Sequence, residues 1–151
     1  MSWTRRLAEL GITLPPVARP AGAYLPAVRT GSLVFTAGQV PLVDGTVAAT
    51  GKVGAEIDTG TAQQLARTCA LNGLAAVDAL VGLDTVSQVV KLVGFVASAP
   101  GFTGQPAVVN GASDLLDEVF GTAGAHARSA VGVAELPLGA PVEVELVVEV
   151  T

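Results

Sequence analysis

Valine and leucine alternate with glutamate along the last part of the chain. Val142, Val144, Leu146, Val148 and Val150 fall on one face of an extended segment, and Glu143, Glu145 and Glu149 fall on the other with Val147. This pattern predicts a strand over 142–150 with one buried face. Between residues 61 and 80 the period is helical instead: Ala62, Leu65, Ala66, Cys69, Ala76, Val77 and Leu80 share one side. Thr61 with Gln64 reads as a capping box, and Gly82 stands where the helix stops. A second helix opens at Pro106, which the first turn tolerates, and ends at Gly121. Its buried stripe is Val108, Val109, Ala112, Leu115, Leu116, Val119 and Phe120.

The segments between these are short and extended. Tyr24–Arg29 and Leu33–Ala37 read as a hairpin turning at Thr30-Gly31-Ser32, and a short strand is expected around Val47, between Gly45 and Gly51. The β-branched run Val86–Val96 and the stretch Ser129–Ala134 complete the set. The order β-β-(β)-α-β-α-β-β predicts an α+β fold, a mixed sheet with two helices on one face. The other sheet face then needs a cover, which neighbouring subunits would supply. Ahead of this unit, Ser2 precedes a short amphipathic stretch, Trp3–Leu10, and Pro15, Pro16 and Pro20 keep the helix from continuing. Residues 1–20 are therefore expected to form an N-terminal extension to a domain spanning 21–151.

Composition sharpens the oligomer expectation. Half of the 151 residues are hydrophobic and only 14% are charged, against about a quarter in ordinary domains. A lone subunit of this size has difficulty hiding that much apolar surface. A membrane span does not account for it. The longest uncharged run, Leu92–Ser113, is broken by Gly94, Pro100, Gly101, Gly104 and Pro106. The N-terminal residues lack the pattern of a signal peptide, so a cytoplasmic location is expected. The net charge of −5, without a basic stripe, argues against nucleic acid as a partner.

Cys69 is the only cysteine and His126 the only histidine. No disulfide within the chain and no cysteine- or histidine-rich metal site can be built from them. Cys69 on the helix stripe reads as an inert core thiol. His126 reads either as a plain loop histidine or as an acid–base group. Spacing alone reveals no phosphate-binding loop, metal cluster or nucleophile elbow.

Several segments, taken in order, resemble one family. They are Phe35-Thr36-Ala37-Gly38-Gln39-Val40-Pro41, Ala66-Arg67 with Asn72, Val90-Lys91 through Phe95-Val96, and Asn110. The most specific are Arg128-Ser129, Val133-Ala134-Glu135-Leu136-Pro137 and Val142-Glu143-Val144-Glu145. Over about residues 22–150 the chain resembles the RidA (YjgF-type) deaminases. The resemblance implies a chorismate-mutase-like fold, a homotrimer with ligand clefts between subunits, and hydrolysis of reactive enamines and imines to 2-oxo acids and ammonia. It implies no metal or organic cofactor.

By the same resemblance Arg128 is the substrate-binding arginine, whose planar guanidinium suits a carboxylate. Glu143 is the acidic residue that would hold or deprotonate the attacking water. Tyr24, Gly38 and Asn110 match further ligand-binding positions. Ala130 and Ala37 depart from the pattern, since many members have cysteine and serine there. A non-catalytic trimer that binds a small carboxylate, and an endoribonuclease or translation inhibitor, are the alternative functions the resemblance leaves open.

Overall fold

The computed structural model describes residues 2–151 and puts the alternating segment in the middle of the sheet. In chain order the elements are α1 (Trp3–Glu9), β1 (Ala27–Thr30), β2 (Leu33–Thr36), β3 (Leu42–Val43), β4 (Thr46–Val47), α2 (Thr59–Val81), β5 (Val86–Ala97), α3 (Gln105–Phe120), β6 (Ala127–Val133) and β7 (Val142–Val150). The five-stranded sheet runs β1-β2-β7-β5-β6. Only β5 and β6 pair in parallel, joined through α3; the other pairs are antiparallel.

Both long helices lie on one sheet face, as the pattern predicts. Val142, Val144, Leu146, Val148 and Val150 are buried beneath them with Val34, Val89, Leu92 and Val96. Leu65, Cys69 and Leu74 of α2, and Val108, Leu115 and Phe120 of α3, close the same core. The helices touch backbone to backbone at Gly111, where any Cβ would collide with the carbonyl of Gln63. Arg67 reaches across to Glu118 with two parallel hydrogen bonds of 3.2 and 3.0 Å. Cys69 is fully buried, and that burial pushes its thiol well up from the ordinary value, so it stays protonated and inert.

Some boundaries differ from the sequence reading. The cap of α2 is Asp58, whose carboxylate accepts the Thr61 N–H at 2.7 Å, rather than the Thr61–Gln64 box. The region around Val47 is the second arm of a small separate hairpin, β3–β4. It turns at Asp44-Gly45, both with positive φ, the conformation a two-residue hairpin loop requires. The first strand begins at Ala27, so Tyr24 precedes it.

The helix at the start of the chain packs on the domain. Ser2 caps it, Leu7 is buried, and the Trp3 indole donates to the Val86 carbonyl at 2.8 Å while meeting the Phe120 ring edge-on at 5.1 Å. Asp84 accepts from the Thr4 N–H and the Ser2 hydroxyl, and those bonds hold its carboxyl below the usual range.

Among the described residues no helix covers the second sheet face. Val28 and Phe35 stand opposite each other there, 49% and 44% exposed, and Val131 is 43% exposed. Val93, Phe95 and Val147, half-buried, continue the patch among Lys91, Glu143 and Glu145.

Candidate functional site

Arg128 lies on β6, directly beside Leu92 of β5, and so faces the helices. Its Nη1 donates to the Asn110 amide oxygen at 2.7 Å and to the Ser113 hydroxyl at 3.2 Å. Its Nη2 donates to the Pro106 carbonyl at 3.4 Å. A guanidinium has five N–H groups. Three therefore meet α3, and the two left over, Nε–H and one on Nη2, sit on different nitrogens, as a bidentate carboxylate contact requires.

Glu143 lies on β7 opposite Phe95, on the open sheet face. Gly38 leaves room for it: a Cβ on that residue would stand 2.7 Å from Glu143 Oε1. Glu143 has no hydrogen-bond or ion-pair partner among the described residues. Burial raises its carboxyl above the ordinary value, and the charge of Glu145 adds to the effect. It lines a cavity of about 500 Å³ with Gly38, Tyr24, Arg19, Ala21 and Leu138. Tyr24 is half exposed rather than packed in the core, and its hydroxyl accepts the Ala21 N–H at 3.0 Å.

The expected site residues thus fall into two separate groups in one chain. Arg128 and Asn110 are brought together on the helix side; Tyr24, Gly38 and Glu143 are brought together on the open side. The side chains of Arg128 and Ala130 point the same way, beside Leu92 and Gly94. Glu143 points to the opposite face.

Two further groups escaped the sequence reading. Ser113, three residues after Asn110 and so on the same helix face, touches Arg128 and also His126 Nε2 at 2.9 Å. That spacing was the available signal. His126 is consequently not a free loop residue, since its Nδ1 also lies 2.6 Å from the Gly124 carbonyl. Arg19, exposed, lines the Glu143 cavity and makes no ion pair among the described residues. Nothing in its local pattern marks it.

Comparison with known proteins agrees with the signatures. A family model described as Endoribonuclease L-PSP matches residues 16–150. Protein TCP17 of Trypanosoma cruzi is 48% identical over 145 residues, covering 95% of this chain and 91% of that protein. A 2-iminobutanoate/2-iminopropanoate deaminase of Dermatophagoides farinae is 34% identical over 137 residues, covering 91% and 93%. The crystal structure of an Agrobacterium tumefaciens protein of unknown function superposes with a TM-score of 0.89 at 45% identity, over 99% of this chain and 92% of that one. The structure of Escherichia coli TdcF with bound serine superposes at 0.65 with 26% identity, over 92% and 96%. No helix among the described residues is long and apolar enough to cross a membrane. With a match over most of its length, signature residues in order and the mixed sheet under two helices, the chain belongs to the Endoribonuclease L-PSP family, which is the YjgF/RidA family.

Proposed function

We propose that this chain is an enamine/imine deaminase acting as a homotrimer, in which Arg128 of one copy and Glu143 of the next face a shared cleft. One observation carries the reading: each chain offers an arginine with two unused N–H groups on one half-site and an unpaired, half-buried carboxylate on the other. The apolar open face supports the assembly, since a neighbouring sheet would cover it.

In this reading the 2-imino acid presents its carboxylate to Arg128 and its C=N carbon to water. Glu143 accepts a proton as the water oxygen bonds to that carbon. Attack on the N-protonated imine leaves a neutral carbinolamine; Glu143 returns its proton to the nitrogen and takes the hydroxyl proton as the C=O bond forms and the C–N bond breaks, so that ammonia leaves with the 2-oxo acid. A carboxylate with its pKa raised is better suited to take and return that proton. Asn110 fixes the arginine, and Tyr24 and Gly38 shape the cleft around Glu143. The chemistry needs no cofactor. The similarity to an iminobutanoate deaminase, and the serine bound by a family member, support a small amino-acid-like ligand.

The alternative is a trimer that binds the same carboxylates without turnover. An amino-acid oxidase coupled to this protein separates the two. Accelerated loss of the imino acids it produces supports the deaminase, while binding of 2-oxo acids without acceleration leaves only the binder.

A further inference from the structure

The hydrogen bonds behind Arg128 have a direction. A backbone carbonyl only accepts, so His126 Nδ1 carries the hydrogen that points at Gly124. A guanidinium only donates, so the Ser113 oxygen accepts from Arg128, and its own O–H is free to donate to His126 Nε2. The four groups form one chain, from the guanidinium through the hydroxyl and the imidazole to the Gly124 carbonyl. Two of its members are set by the fold: Gly124 is buried beside α3, and Ser113 sits within α3.

We propose that Ser113 and His126 are positioning residues for ligand binding, holding the Arg128 guanidinium with its two unused N–H groups turned to the ligand carboxylate. This rests on Arg128 being the carboxylate-holding group of the proposed site. An arginine side chain loses considerable rotamer freedom when it grips a ligand. Here part of that loss is met beforehand, because one guanidinium nitrogen is already pinned by Asn110 and Ser113. Without Ser113 the guanidinium would keep Asn110 on one nitrogen and the longer contact to the Pro106 carbonyl, 3.4 Å, on the other. The Ser113–His126 arm adds a second bond to the first nitrogen, and the imidazole holds the hydroxyl in the orientation that keeps its lone pair on the arginine.

Because His126 is the only histidine, its ring nitrogens can be read by NMR on the intact protein. The wild type should show a hydrogen held on Nδ1. Ser113→Ala should leave the hydrogen on Nδ1, shift the Nε2 resonance by removing its hydroxyl partner, and weaken binding of 2-oxobutanoate, the probe for calorimetry, by roughly tenfold. KM for an imino acid should rise by a similar factor, with kcat, assembly mass and melting temperature close to wild type. Ser113→Thr keeps the hydroxyl and should restore both. A wild-type ring exchanging freely between tautomers overturns the proposal, and so does a Ser113→Ala protein that binds 2-oxobutanoate normally. If the wild type binds 2-oxobutanoate but accelerates no imine loss, the deaminase reading fails while the positioning role is still decided by the Ser113→Ala affinity. A wild type that binds no carboxylate defeats both.

Discussion

Arg128 stands beside Leu92, and Glu143 stands beside Phe95, three residues further along the same strand. An odd separation on a strand places the two side chains on opposite faces of the sheet. One subunit therefore directs the two groups away from each other, as a site shared between subunits would require.

Mixed assemblies test this. Arg128→Ala and Glu143→Gln proteins should each be nearly inactive alone. Unfolded together in equal amounts and refolded as random trimers, they should regain about a quarter of wild-type activity, because that fraction of clefts receives an intact arginine and an intact glutamate. Recovery no greater than that of the separate proteins would place both groups in one subunit's site.

Arg128→Ala should lower imine hydrolysis roughly 30- to 1000-fold, the loss of about 2–4 kcal/mol of charge-assisted contact in the transition state. Arg128→Lys should rescue poorly, since an ammonium can reproduce neither the fork nor the three anchoring bonds to α3. The coupled oxidase assay measures all three proteins side by side, with light scattering to verify assembly.

The acid limb of the rate profile should depend on Glu145. Glu143 must be ionised to take a proton from water, and burial followed by the charge of Glu145 raises its carboxyl above the ordinary value. Removing the like charge with Glu145→Gln makes the ionised form less costly, so the acid limb should move to lower pH. Glu149→Gln, which alters a group absent from the causes of that shift, should leave the limb in place.

Phe35→Asp should block assembly without unfolding the chain. The side chain is 44% exposed on the open face, so a charge there costs the single subunit little. In a packed interface the same carboxylate would be desolvated without a partner. Light scattering should report the 15.0 kDa chain mass for the variant and three times that for the wild type.

Trp3→Ala should lower the melting temperature by about 4–8 °C, for a loss of about 2 kcal/mol in a domain of this length. The indole is only half-buried, but it carries both the bond to the Val86 carbonyl and the contact with Phe120. A thermal melt of the variant checks the value, and an unchanged midpoint would mean that the N-terminal helix contributes no stability.

Much of this architecture can be read from periodicity. β7 matches its expected limits at Val142 and Val150, and Gly82 and Gly121 end their helices as anticipated. Burial imposes these patterns, so they survive in one dimension. Local competition is harder to read. Asp58 outcompetes Thr61 for the cap because its carboxylate reaches the Thr61 N–H from outside the helix. Hairpin β3–β4 is too short to show an alternation, although Asp44-Gly45 is itself a turn signal. The partition of the site residues is not a property of any short segment. It arises from the register of β5 against β6 and β7, which only the folded sheet establishes. Ser113 was within reach from its spacing to Asn110, whereas Arg19 comes near Glu143 only through the path of an irregular loop.

The position of β7 has a consequence for synthesis. It is the last strand of the sheet in chain order, yet it lies between β2 and β5. The β1–β2 hairpin can form early, and so can the parallel pair of β5 and β6, but no strand joins the two halves until β7 has left the ribosome. Its Leu146 N–H then closes on the Thr36 hydroxyl, across 110 residues of chain. A nascent chain must meanwhile keep two unpaired strand edges, and the apolar residues meant for the core, out of contact with other chains. Completion of this sheet is thus a late, long-range step, and chaperone occupancy of ribosome-bound chains should persist until the residues of β7 emerge.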